Sequence, residues 1–450
     1  ADGKLEVTSD RLGAYPLYAT EVGGVRLVSN NAEALRAARG GSSMAAPVLA
    51  SLLGGGWSLS GDPVWEGIDR IAPARPSPAP GSGFDADRAA SILIAAVRAL
   101  GEWPGRPSVV PLTGGRDSRL VLGAALAAGI DFQGTTGGEP GHPDVEIGRE
   151  LARVAGVPWS LVEHDPHGSV LSDWRRAAEL LRVTTGGTAS LSDAAGFPFG
   201  PRSGPLPLWH SGQGGEIARS YYGTGGDADR LYRAFVGRRP GRIEILGAEG
   251  QRLVRAQIDA FVEEQLDAGI APADLPDMFY LERRMGTWAG PGHGAVEYVR
   301  DTTSPLWSRR LLPDMLGLPA EARARYEFHQ RVLERLAPQL VDIPFEDGRG
   351  WPAREGELAR RLHRGRDLAR KARAELRRRM GRSGAQAGDD PFARVLPEVR
   401  DAVLSQPDHE AWHVLDRPRV EALLASDPVT LDTMSRYYAW RLATVFGPSA

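Results

Sequence analysis

The chain has 450 residues, enough for two or three domains with substantial cores, and its 42% apolar and 25% charged residues suit an ordinary globular protein. A formal charge of −3 argues against a general polyanion binder, and the absence of cysteine excludes disulfides, thiolate metal sites and cysteine nucleophiles. With no transmembrane run and no signal-peptide pattern, the expectation is a cytoplasmic protein with neither membrane nor nucleic-acid partners. Only Lys4 and Lys371 are lysines, so arginine must do most of the work a lysine would do.

In chain order, residues 5–38 have hairpin character. Leu5–Thr8, Tyr15–Thr20 and Val25–Ser29 are expected strands, the last two flanking Gly23-Gly24, and a short helix follows at Ala32–Ala38. The chain starts at Ala1, close to the first of these strands, so a missing or processed N-terminal portion is expected. Residues 72–83 carry too much proline and glycine for regular structure and read as a linker. Beyond them helix and strand alternate: helix Asp85–Leu100, strand Val109–Leu112, helix Arg116–Ala128, strand Phe132–Thr136, helix Pro143–Ala155, strand Trp159–Glu163. A helix over Val170–Leu181 then leads to strand Leu206–His210. This order predicts an α/β fold, a parallel sheet with helices on both faces and ligands at the carboxyl ends of the strands. From about Tyr222 the strand signal fades and helices dominate, at Arg252–Leu266, Met278–Met285, Ala320–Leu336, Glu355–Met380 and Thr430–Phe446. The expected division is a β-rich region over 1–71, a linker over 72–84, an α/β core over about 85–222 and a helical part over 223–450. The arginine-rich stretch from Arg354 to Arg382 could be a nucleic-acid or peptide-binding helix, but its stripe of apolar or small residues (Leu358, Leu362, Ala369, Ala372, Leu376, Met380) reads as an amphipathic helix with a solvated basic face.

The most informative segment is Thr113-Gly114-Gly115-Arg116-Asp117-Ser118, where an apolar strand runs into a paired-glycine turn and then a helix. Such a turn lets backbone N–H groups converge on an anion, and the helix N-terminus adds partial positive charge. No Gly-Lys-Ser or Gly-Lys-Thr phosphate loop is present. A second small-residue turn, Ser211-Gly212-Gln213-Gly214-Gly215-Glu216, follows a later strand. Asp117 and Glu216 would then face each other across one cleft and could hold Mg²⁺ against a triphosphate. His164 and His167 make a poor zinc pair in a Pro- and Asp-containing loop, and no Gly-x-Ser-x-Gly elbow occurs.

The first loop resembles the Ser-Gly-Gly-x-Asp-Ser pyrophosphate loop of the ATP pyrophosphatases, with Thr113 for the first serine. With it, the chain resembles the asparagine synthetase family over most of its length. Residues 10–18 (Asp-Arg-Leu-Gly-Ala-Tyr-Pro-Leu-Tyr), Ser29–Leu35 and the run from Trp65 to Pro73 are similar to parts of that family's class II glutamine amidotransferase domain and its junction. Ser211–Glu216 is similar to its Ser-Gly-Glu-Gly-x-Asp motif, and Glu297 through Ser308 to its Glu-x-Arg-x-Pro-Phe-Leu-Asp region. The resemblance implies an adenine-nucleotide alpha-hydrolase-like synthetase domain that activates a small-molecule or peptide carboxylate with Mg·ATP and passes it to an amine. It implies nucleotide binding by Leu112, Thr113, Gly114, Gly115, Arg116, Asp117, Ser118, Thr136, Ser211 and Gly212, with metal ligation by Asp117 and Glu216.

Three departures limit the analogy. The glutaminase cysteine is absent, so nitrogen would come from free ammonia, a substrate amine or a separate glutaminase subunit. Gln213 replaces the family's acidic residue and cannot take a proton at neutral pH. The lysine of the late segment is missing, and Arg349 is the only nearby cation. Gln213 and Arg349 are therefore the expected catalytic positions of an asparagine-synthase-type ligase. A lasso-peptide or β-lactam type cyclase and a non-catalytic nucleotide binder remain as alternatives.

Overall fold

The computed structural model describes residues 6–9, 13, 15–72, 83–103, 105–162, 173–191, 207–237, 244–290, 301–352 and 391–447. Most of the linker, both histidines of the His164/His167 pair, the 297–300 stretch and the basic 354–382 segment lie outside them. The N-terminal part forms a small antiparallel sheet in the order β2-β1-β3, from β1 (Tyr18–Val22), β2 (Val25–Ser29) and β3 (Asp69–Arg70). Gly23 and Gly24 both take positive φ, at 58° and 77°, as a two-residue hairpin turn of the right twist requires. The first strand thus lies later than Tyr15–Thr20, the described residues of Leu5–Thr8 are not in a strand, and β3 was not anticipated.

Helices α1 (Ala32–Ala38) and α2 (Ala46–Gly55) follow. The second was missed because its apolar residues run almost continuously and show little periodicity. That composition suits deep burial: α2 packs on α8 (Ala248–Asp267), after α7 (Ala228–Val236). Beside it, Trp57 meets Phe235 edge-on at 4.9 Å between ring centroids. One connected apolar cluster runs from Tyr18 through Trp57 to Phe446.

The central layer is a five-stranded parallel sheet in the order β6-β5-β4-β7-β8. Its strands are β4 (Ser108–Pro111), β5 (Phe132–Gly137), β6 (Trp159–Val162), β7 (Leu208–His210) and β8 (Asp301–Thr303). Helices α3 (Ala86–Gly101), α4 (Arg116–Ala128), α5 (Pro143–Ala155) and α6 (Trp174–Thr185) accompany it. Local signals set these boundaries. Asp85 caps α3 by accepting from the N–H of Asp87 and Arg88, and Pro143 opens α5, which ends at Gly156 in the left-handed region. From β4 the chain winds outward to β5 and β6, then crosses back to place β7 on the other side of β4. The order reverses there, so the crevice at the carboxyl ends of β4 and β7 is the natural ligand site.

β8 corrects the expectation that strands cease after Tyr222: three residues of polar sequence carry no alternation, and only pairing with β7 makes them a strand. The expected helix Met278–Met285 is α9 (Leu275–Phe279) running into a π-helix over Tyr280–Ala289. After α10 (Leu312–Leu316), Ala320–Leu336 divides into α11 (Ala320–Ala324) and α12 (Glu327–Leu336), broken at Tyr326, whose φ is +62°. The C-terminal helices are α13 (Pro391–Leu404), α14 (Arg417–Leu424) and α15 (Thr433–Val445). No helix of the described residues is long and apolar enough to cross a membrane.

His210 joins three strands from within the sheet. Its Nε2 shares a 3.0 Å hydrogen bond with Ser108 Oγ on β4, and its Nδ1 a 3.2 Å bond with Thr303 Oγ1 on β8. Burial pulls its pKa from the ordinary 6.5 to about 4. The folded chain therefore binds fewer protons than the unfolded chain between those values, and stability falls as pH drops through 6.5 toward 4. At pH 5 the linked loss is about 2 kcal/mol. Urea unfolding at pH 7 and pH 5 should show it in the wild type and not in His210→Gln; equal loss in both would assign the acid sensitivity elsewhere.

Candidate functional site

The glycine loop leaves β4 at its carboxyl end and enters α4 at Arg116. Its frame is built from its own side chains: Thr113 Oγ1 and Ser118 Oγ share a 2.8 Å hydrogen bond, and the Gly115 N–H donates to Thr113 Oγ1 at 3.1 Å. Gly114 is enclosed, and a Cβ there would lie 2.9 Å from both Asp144 Oδ1 and Glu346 Cβ. Its N–H donates to Asp144 Oδ1 at 2.7 Å, so a carboxylate from the first turn of α5 sits on an amide of the loop. Leu112 is fully buried beneath the loop. Thr136 supports from below: its hydroxyl donates to Leu112 O at 2.7 Å and accepts from Trp159 Nε1 at 3.0 Å. The Thr136 side chain is therefore scaffold, and only its backbone is left to face a ligand.

The second turn, after β7, lies directly against the first. A Cβ on Gly212 would fall 2.9 Å from Ser118 N, and one on Gly215 would overlap the Asp117 carboxylate. Gly214, at φ +100°, passes against Trp307. Ser211 receives the Gln213 N–H at 3.1 Å, and Glu216 receives the Gly214 N–H at 3.0 Å. A short 3₁₀ turn over Gly215–Arg219 then brings Arg219 back one turn over Glu216.

As expected from the two loops, Asp117 and Glu216 converge. Arg219 Nη2 lies 3.4 Å from Asp117 Oδ2 and 3.3 Å from Glu216 Oε1, so one guanidinium nitrogen bridges the two carboxylates. Asp117 Oδ1 also accepts from His329 Nε2 at 2.7 Å, on the fully buried face of α12. Burial opposes ionisation of Asp117, but the His329 hydrogen bond and the Arg219 charge outweigh it and hold its pKa below the usual range. Glu216 goes the other way, raised by burial and then by the Asp117 charge. Burial depresses His329, which is thus a neutral imidazole donating through Nε2, and its buried Nδ1 has no partner among the described residues.

The cations are unevenly paired. The Arg116 guanidinium lies between the rings of Tyr326 and Phe345, 4.1 and 3.9 Å from their centroids, and its buried Nε has no hydrogen-bond partner among the described residues. One turn on, Arg119 is fully buried and donates to the carbonyls of Ile343 and Pro344. Burial, then the neighbouring Arg116, lowers its pKa to about 9. Neither Arg116 nor Arg119 has a carboxylate partner among the described residues. These contacts bring the late segment to the loop mouth, with Phe345 under Arg116 and Glu346 against Gly114. Arg349 arrives with it, at the end of a turn closed by Phe345 N to Arg349 O at 2.8 Å, and its Nε lies 3.6 Å from Asp347.

Sequence reasoning missed Asp144, Arg219, His329, Tyr326 and Phe345. Arg219 had a readable signal, three residues beyond Glu216 in the same motif. The others come from α5, α12 and the segment after it, and no local pattern marks them. Tyr326 and Ser220 are the only non-glycine residues of positive φ among those described, at 62° and 46°. One stacks on Arg116 and the other follows Arg219, so backbone strain gathers at this crevice. Neither a scan against models of protein families nor a search of the curated proteins finds a match to this chain.

Proposed function

We propose that the chain is an ATP-dependent carboxylate–amine ligase of asparagine synthase type, releasing AMP and pyrophosphate. The observation that carries this reading is the pair of abutting turns at the switch point of the sheet. They set Asp117 and Glu216 on one shared cation beside a glycine loop and two arginines that lack carboxylate partners among the described residues. Arg116, without an ion-pair partner among the described residues, is the cation a triphosphate would take. The same two carboxylates suit Mg²⁺, because they already share one cationic nitrogen and Mg²⁺ takes one or two carboxylates together with phosphate oxygens. Bound there, Mg²⁺ supplies charge neutralisation.

In the reaction so read, a substrate carboxylate oxygen bonds to the α-phosphorus as the bond to the bridging oxygen breaks and pyrophosphate leaves. The amine nitrogen then bonds to the acyl carbon, AMP departs and the nitrogen loses a proton. In this reading Arg116 orients the phosphates at the glycine loop. His329 holds Asp117 in place. Gln213 can hydrogen-bond amine or adenylate but take no proton, which favours a family cyclase with an internal amine as the second reading. ATP–pyrophosphate exchange with a panel of carboxylates, including aspartate and acidic peptides, tests the proposal; no exchange with any of them, and no ATP binding, would sink it.

Arg349 is proposed to neutralise charge developing on the acyl oxygen, in place of the family's lysine. Arg349→Met should slow adenylate formation or capture by about tenfold, one charge-assisted hydrogen bond, while ATP affinity stays nearly unchanged. A fully active variant would pass the role to another arginine. The nitrogen source is a sharper test. With no cysteine thiolate, the purified chain given glutamine and Mg·ATP should release no glutamate above background. Glutamate formed at turnover rates would mean that another residue supplies the nucleophile.

A further inference from the structure

Ser220, the residue after Arg219, is buried at φ +46° and ψ +59°, a left-handed conformation that a side chain with a Cβ adopts only at a cost. The 3₁₀ turn ends there, and the Tyr221 ring comes back to the Arg219 guanidinium, 5.7 Å from centroid to Cζ. Polar contacts hold this kink. Ser220 O accepts from the Gly223 N–H at 2.7 Å. Ser220 Oγ donates to Asp277 Oδ2 on α9 at 2.9 Å and lies 3.2 Å from Ala320 O at the start of α11. The same Asp277 oxygen accepts from Arg323 Nε and Nη2, at 2.9 and 2.7 Å. Arg323 is fully buried and is fixed in turn by Asp274 and by the carbonyls of Leu316 and Leu318. Burial raises the Asp277 pKa to about 6 against the pull of Arg323 and Ser220, so at neutral pH it is a carboxylate.

Arg219 is held less firmly than the residue that follows it. One of its nitrogens reaches both carboxylates, at 3.4 Å from Asp117 and 3.3 Å from Glu216, longer than the roughly 2.7–2.9 Å of a good charge-assisted hydrogen bond. Contacts of that length hold a long side chain weakly against its own rotamer freedom, so the guanidinium sits where its backbone delivers it. Its place matters to the site, because the Arg219 charge lowers the pKa of both Asp117 and Glu216 against their burial.

We infer that Asp277, fixed by Arg323, is a positioning residue: through the Ser220 hydroxyl it holds the kink that keeps Arg219 between Asp117 and Glu216. Glycine takes the left-handed conformation without strain and needs no clamp, so it separates this role from packing. Ser220→Ala should weaken Mg·ATP binding, measured by calorimetry, by about tenfold, one hydrogen bond to a charged group. Ser220→Gly should recover most of that loss although it too lacks the hydroxyl. Asp277→Asn should weaken binding in the serine background and not in the glycine background, while its melting temperature falls equally in both. If Asp277→Asn does not fold, the two Ser220 variants decide alone. Equal losses in Ser220→Ala and Ser220→Gly, or no loss in Ser220→Ala, would overturn the clamp. This nucleotide arm rests on the ligase reading, so a second readout omits nucleotide. In protein labelled with ¹⁵N-arginine, the Arg219 Nε–H resonance, assigned by its loss in Arg219→Lys, should shift in Ser220→Ala and return in Ser220→Gly. A wild type that binds no Mg·ATP while the resonance follows that pattern would defeat the ligase reading and leave the clamp standing. A resonance unmoved in Ser220→Ala would defeat the clamp, whatever the nucleotide does.

Discussion

Replacing Asp117 by asparagine is expected to lower ATP–pyrophosphate exchange by about a thousandfold, the scale reached when a preorganised charge aimed at the reacting phosphates is lost. The substitution keeps shape and keeps an acceptor for His329 Nε2, whose 2.7 Å hydrogen bond ties α12 to the loop. It removes the carboxylate charge and leaves Arg219 with Glu216 alone as its countercharge. Burial alone already pushes the Glu216 pKa up, so losing its ionised neighbour should lower that pKa and tighten the Glu216–Arg219 pair. The site would then hold one carboxylate already committed to an arginine. Calorimetric titration with Mg·ATP, beside a melting curve within a few degrees of wild type, separates loss of the site from loss of the fold. Wild-type ATP affinity and exchange in Asp117→Asn would remove Asp117 from the nucleotide site.

The second large effect belongs to Arg116. Arg116→Met keeps an unbranched chain between the Tyr326 and Phe345 rings, so packing is largely preserved while the charge and the five-donor fork are lost. ATP affinity and exchange should fall by about a hundredfold, equivalent to one or two charge-assisted hydrogen bonds. Arg116→Lys should recover part of the affinity, since an ammonium restores charge but not the bidentate geometry. The contrast with Arg349→Met is informative. Arg349 already has Asp347 beside it, at 3.6 Å, whereas Arg116 makes no ion pair among the described residues and lies between ring faces, with Asp347 and Asp117 acting on it only through their charge. Equal effects on ATP affinity in the two variants would contradict the division of labour between phosphate and acyl oxygen.

Much of the α/β half was legible from local signals. Asp85, Gly129, Pro143 and Gly156 punctuate helices, and short apolar strands lie between them; α5 was read to the residue. The glycine loop was legible for the same reason, since a strand, a tight turn and a helix N-terminus are all local. So was the convergence of Asp117 with Glu216, because parallel strands on either side of a switch point deliver both turns to one crevice. The helical half was less legible. Burial of α2 on all sides hides its periodicity, the break at Tyr326 lies inside an otherwise continuous helical pattern, and the π-helix has no signature of its own.

What the sequence alone determined was the order of elements and the identity of the two turns, because both depend on contacts between near neighbours. The composition also settled what chemistry is missing: no thiolate, and almost no lysine. Tertiary structure alone decided which charges are compensated. Arg219, Arg116, Arg119 and Arg284 look alike in a chain rich in arginine, yet one bridges two carboxylates, one is held between rings, one is bound by carbonyls and one is boxed by aromatics. The same holds for His329, a lone histidine until α12 brings it 212 positions back to Asp117. Charge pairing between residues so far apart in sequence depends on distance and burial, and only packing sets those.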